Sequence, residues 1–90
     1  MPNEHAARIT AGVVSAHEVA FRRALGKRLR VLRVIAELSQ AELATKAGIT
    51  RNYVSALERG AQRVDTYRLL LIAETLGVGL EKLTEDKPGT

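Results

Sequence analysis

The chain contains no cysteine, which excludes disulfides and thiolate-held metal centres. Its two histidines are too few for a convincing zinc site, so neither a metal nor a cofactor is expected. No apolar run approaches the ~20 residues that a membrane span needs. The opening stretch, MPNEHAARITAGVVS, lacks the n-region and long apolar segment of a secretory signal, and a cytoplasmic location is expected. No strand alternation, Gly-rich phosphate loop, internal repeat or low-complexity segment is present, and nothing resembles a catalytic triad, paired carboxylates or a metal cluster. An enzyme is therefore not expected.

What the chain does hold is one small domain's worth of apolar residues, 46% of 90 positions. The net charge is +4 and unevenly spread: residues 21–64 carry ten Lys/Arg against three Asp/Glu, whereas residues 65–90 carry three against five. A positive field on the middle of the chain suits a phosphate-facing surface, although a solvated basic face without a partner has the same composition.

The organising stretch is Gln40 to Leu57, QAELATKAGITRNYVSAL, which reads as two short helices joined by a tight turn. Ser39 is an N-cap with Glu42 three residues later, a capping-box pattern. Leu43, Ala44 and Ala47 recur at helical spacing, and Gly48 supplies the positive φ with which a chain leaves a helix. Thr50 caps a second helix with Tyr53, Val54 and Leu57 inward and Arg51, Asn52, Ser55 and Ala56 outward. Ala44 is small enough for the crossing of the two helices. An exposed helix that begins with Arg and Asn suits a DNA major groove.

Around this unit, residues 1–14 have no clear period and are expected to form a flexible arm, with Arg8 as its one cation. Ser15 and Glu18 form a second capping-box pattern, opening a helix expected to run to about Leu38, or to begin near Ala24 because Gly26 costs a helix about 1 kcal/mol relative to Ala. Phe21, Leu25, Leu29, Leu32 and Ala36 form its apolar stripe, and His17 is expected to face solvent in its first turn. Arg33 lies among apolar neighbours. It either pairs with Glu58, tying this helix to the second motif helix, or both are independent surface charges. Gly60 closes the motif and residues 61–64 form a loop. Asp65 caps a mostly apolar helix ended by Gly77, whose run Leu69–Ile72 exceeds one core face and leaves a side, with Leu71 the candidate, for a partner. Residues 79–83 form a last short helix, and 85–90 a polar tail. The expected architecture is all-α: a compact five-helix bundle over residues 15–84, with motif helices at about 40–47 and 51–58.

The segments LGKRLRVLRVIAELSQAELATKAGITRNYVSALERG and LLLIAETLGVGLEKL resemble the Cro and phage-repressor class of helix-turn-helix domains, the xenobiotic-response-element family, over roughly residues 25–83. The resemblance implies a sequence-specific DNA-binding transcriptional regulator, a homodimer on a palindromic operator, nucleoid-associated when bound; with no second domain read in the sequence, no small-molecule ligand is expected. It implies base contacts from Arg51, Asn52, Ser55 and Ala56, and phosphate contacts from Gln40, Thr50, Arg59, Gln62 and Arg63. Tyr53, near the groove edge, is expected to reach a phosphate with its hydroxyl. The family's buried ion pair falls on Arg33 and Glu58, and a dimer interface is expected to use Leu71, Leu80 and Leu83. Four positions depart from the family pattern: Val64 for proline, Thr66 for an apolar residue, Gly79 for a capping Ser or Thr, and Leu71 for a polar residue. The run RNYVS and the short length look most like restriction–modification controller proteins. An antitoxin that binds a protein toxin through Leu69–Ile72 is the alternative, and a membrane-surface helix over residues 22–30 a weaker one.

Overall fold

The computed structural model describes residues 14–85; the expected arm, with Arg8, and the tail beyond residue 85 lie outside the described residues. Five helices follow one another: α1 (Ala16–Ile35), α2 (Gln40–Ala47), α3 (Arg51–Glu58), α4 (Thr66–Leu76) and α5 (Glu81–Thr84). No described residue lies in a strand. Side-chain caps set four of the five starts. The Ser15 hydroxyl accepts from the Glu18 N–H at 3.0 Å, Ser39 from Glu42 at 2.9 Å, Thr50 from Tyr53 at 3.0 Å, and the Asp65 carboxylate from Arg68 at 3.2 Å. Only at α2 is the capping box complete: the Ser39 N–H donates to Glu42 Oε1 at 2.8 Å, and this backbone bond holds the Glu42 carboxyl below its usual range. At α1 the Glu18 carboxylate turns instead to Arg22 one turn on, at 2.6 Å, because a guanidinium is a stronger partner than a neutral amide.

Leu25, Leu29, Leu43, Val54, Leu57, Ile72 and Leu83 are at most 1% exposed and form the centre of the core. Each such side chain stabilises the fold by roughly 1.5–3 kcal/mol relative to an exposed one. α1 packs on α3 and α5, while α2 packs on α3 and α4. Ala44, 2% exposed, sits within the motif, and Gly48 leaves α2 at φ 75° so that the Ile49 N–H can return to the Ala44 carbonyl at 2.9 Å.

One open alternative is settled and three expectations are corrected. α1 runs unbroken through Gly26, because that glycine is packed rather than merely tolerated: a Cβ there would lie less than 3.0 Å from the backbone oxygens of both Leu57 and Glu58. α1 also stops at Ile35, short of Leu38, because Glu37 takes the left-handed conformation at φ 60° and the Leu38 N–H turns back to the Arg33 carbonyl. On α4, the residues left outside are Tyr67 and Leu70, 67% and 42% exposed, while Leu71 is half-buried. Leu83 is fully buried in the protomer's own core and has no surface to offer a dimer partner. The last helix is a single turn without a side-chain cap, with Leu80 at its N-cap and Gly79 just before it.

A left-handed residue with a Cβ costs about 1–2 kcal/mol. Glu37→Gly is therefore expected to stabilise the fold, by about 0.5–1 kcal/mol once the added chain entropy of glycine is subtracted. In thermal unfolding this corresponds to a rise of a few degrees in a domain of this size. Glu37→Ala should give no such gain, and an equal gain from alanine would assign the effect to removal of charge.

Candidate nucleic-acid interface

The amphipathic split of α3 builds the site. Val54 and Leu57 are buried, which fixes the rotation of the helix and turns its first residues outward. Arg51 and Asn52 are exposed, and Ser55 and Ala56 are partly exposed on the same side. Thr50, Asn52, Tyr53, Ser55, Ala56, Arg59 and Gln62 line one shallow concavity. The Arg59 guanidinium Nη1 donates to Ser55 Oγ at 3.0 Å, linking the outer face of α3 to the loop behind it. The Gln62 amide donates to the Arg63 carbonyl at 3.3 Å, and Arg63 is exposed. Arg51, Arg59 and Arg63 are all exposed, three guanidiniums within thirteen residues of chain. The carboxylates nearest in sequence are engaged elsewhere: Glu58 beneath α3, and Asp65 on Arg68 at 2.8 Å.

Glu58 is the hub that holds α3 in place. Its carboxylate, 5% exposed, accepts from Arg33 Nε at 2.5 Å and Nη2 at 3.1 Å, and from Gln40 Nε2 at 3.0 Å. Arg33 Nη1 donates to the Leu38 carbonyl at 2.7 Å. The hydrogen bond to Glu58 is also what raises the Arg33 pKa further above its ordinary value. One cluster therefore joins α1, the turn after it, and the first and last residues of the two-helix motif. Gln40, expected at a phosphate, has one amide proton committed to this cluster and a second still available. No local sequence signal pairs Gln40 with Glu58, 18 residues apart.

Tyr53 is placed differently from expectation. Its hydroxyl oxygen is buried and makes no hydrogen bond within the described residues, so it does not reach outward to a phosphate. Burial pushes the phenol pKa up. Arg68 of α4, tied to the α4 cap Asp65, lies over the Tyr53 ring at 5.5 Å from its centroid. Arg68 was not among the expected site residues, and only its i,i+3 spacing from Asp65 hinted at its position.

Among the described residues no group of three or more His, Cys, Asp or Glu could hold a metal, and no helix is long and apolar enough to cross a membrane. A helix-turn-helix family profile matches residues 29–83, which spans α2, the turn and α3 and extends into α5. A curated HTH-type transcriptional regulator of Sinorhizobium medicae, uncharacterised, is 35% identical over 65 residues, covering 72% of this chain. The chain spans about half, 47%, of that relative's length. Among solved structures, the restriction–modification controller protein C.AhdI from Aeromonas hydrophila superposes with a TM-score of 0.72 at 36% identity, covering 77% of this chain and 99% of that one. The hypothetical transcription factor NHTF from Neisseria superposes with 0.69, also at 36% identity, over 71% of this chain and 74% of that one. Capped motif helices, an outward basic face on the second of them and these likenesses agree: the chain belongs to the helix-turn-helix (HTH_3, xenobiotic-response-element) family of DNA-binding transcription regulators, not of enzymes.

Proposed function

We propose that this chain is a sequence-specific regulator that lays α3 in the DNA major groove as a homodimer on a palindromic operator, including one upstream of its own gene. The observation that carries this reading is the pair Arg51 and Asn52, exposed at the first turn of a helix whose inner face is locked by Val54, Leu57 and Glu58. A guanidinium held there can bond guanine O6 and N7 together, and Asn52 can bond adenine or a phosphate. Ser55 and Ala56 follow along the groove, Ala56 with a methyl for thymine. Gln40 (through its free amide proton), Thr50, Arg59, Gln62 and Arg63 take phosphates, which set position rather than sequence. The likeness to the restriction–modification controller protein C.AhdI supports a controller role. The named neighbours give no support to the antitoxin-type alternative.

One module this small buries too little DNA surface for tight binding alone, so the dimer supplies the remainder, with half-sites roughly 34 Å apart. The α4 face with Tyr67, Leu70 and Leu71, continued by Leu80, is the surface proposed for it.

The test is light scattering with and without DNA from upstream of the gene, followed by titration of an Arg51→Ala variant. The parent should be a dimer that binds a defined site at ~150 mM salt. Arg51→Ala should bind that site at least about tenfold more weakly, the lower end of the ~1–3 kcal/mol carried by a bidentate base contact, with affinity for random DNA nearly unchanged. An equal loss on both DNAs would reduce Arg51 to a phosphate contact, and a monomer with sequence-blind binding would remove the operator reading.

A further inference from the structure

The dimer surface and the DNA face leave one conspicuous feature of α1 unused. Val31, Val34 and Ile35 are 56%, 57% and 71% exposed. They form one stripe on the outside of the helix, and Ala20, Ala24 and Lys27 continue it toward the N-terminus in alternating four- and three-residue steps. At 3.6 residues per turn this stripe lies on the far side of α1 from Gly26 and Arg33, the residues that meet α3. Beside it, where α1 meets α5, run two consecutive shallow grooves. One lies between Ala20, Phe21 and Thr84; the next is lined by Lys27, Arg28, Val31, Leu32 and Lys82. Among the described residues no acidic side chain lines either groove. Arg28 is held in position there by donating to the Leu83 carbonyl at 3.1 Å.

From Ala20 to Val34 the stripe extends roughly 21 Å, about four helical turns. That is the shape into which a second helix packs, with its apolar residues at the same spacing. Charge selects the occupant. A second copy of this chain would bring its own Lys27 and Lys82 to the contact, and the described lining of the two grooves holds no carboxylate to meet them. DNA would satisfy the cations but leave the three aliphatic side chains without a partner. An acidic amphipathic helix satisfies both. We propose that the outer face of α1, with Lys82 of α5, is a docking site for such a helix from a partner protein. Leucine-type residues cover Val31, Val34 and Ile35, and carboxylates meet Lys27 and Lys82. Because the face points away from α3, the partner and DNA bind together.

The test uses the full chain and a synthetic helical peptide of about 14 residues, with Leu at the a and d heptad positions and Glu at the others. A twin with Lys in place of Glu is the control. The Glu peptide should bind saturably and the Lys peptide should not. Backbone NMR shifts should change at Lys27, Val31, Val34, Ile35 and Lys82, with Arg51 and Asn52 unaffected and a duplex DNA still bound. The double reversal Lys27→Glu, Lys82→Glu should weaken the Glu peptide at least about tenfold and confer binding of the Lys peptide, a gain that an unfolded variant could not show. Shifts confined to Arg51, Asn52 and Arg63 would overturn the proposal, since the peptide would then be acting as a DNA mimic. So would absence of binding, or a concentration-dependent mass abolished by Val34→Glu, which would make the face a contact between copies.

Discussion

Gly26→Ala is expected to destabilise the protein by about 2 kcal/mol or more, a size typical of a forced overpacking. Helix propensity alone predicts the opposite sign, since alanine in mid-helix is favoured over glycine by about 1 kcal/mol. The sign is decided by what the new methyl group meets. Its position lies less than 3.0 Å from the carbonyl oxygens of Leu57 and Glu58, and both are backbone atoms at the end of α3. A flexible side chain could swing away from such a clash; a helix terminus cannot. The response open to the fold is to move α3 away from α1, loosening Val54 and Leu57 in the core and stretching the Arg33–Glu58 contact. The variant should therefore melt on the order of 10 °C lower, given about 4–8 °C per kcal/mol in a domain of this size. It should also bind DNA more weakly, because α3 is the element displaced. An alanine variant as stable as the parent, or more stable, would show that α1 and α3 do not approach so closely.

This position also shows where the sequence informs and where it does not. Glycine in mid-helix looks like a weakness when only α1 is considered; its reason is α3, some thirty residues away. The two-helix motif was legible because its determinants are local. Ser39 with Glu42, Gly48 and Thr50 each act within four residues of themselves, and the apolar spacing of α2 and α3 then sets which sides face inward. The end of α1 was not legible, since Glu37 takes the left-handed conformation without the glycine that usually marks it. The burial of Leu83 was misjudged for a related reason. A single-turn helix such as α5 has too few residues to display a period, and its burial depends on packing against α1. In the candidate site, the outward set Arg51, Asn52, Ser55 and Ala56 follows from the period of α3 alone. The burial of the Tyr53 hydroxyl does not, because it depends on tertiary packing rather than on that period.

The second large effect is expected at the cluster beneath α3. Arg33→Ala removes the guanidinium that supplies two hydrogen bonds to a carboxylate only 5% exposed, leaving Gln40 as its remaining partner. Breaking such a pair from one side costs about 3–5 kcal/mol, most of it the penalty of an uncompensated buried charge. Glu58→Ala should cost less, since the Arg33 side chain, 13% exposed, can turn its head toward water and keep its bond to the Leu38 carbonyl. The double variant Arg33→Ala, Glu58→Ala removes both charges. Its loss should fall short of the sum of the single losses by about 1–3 kcal/mol. Urea unfolding of the parent, the two single variants and the double variant measures it. A coupling energy near zero would mean that Arg33 and Glu58 act independently and that the placement of α3 rests on its apolar contacts alone.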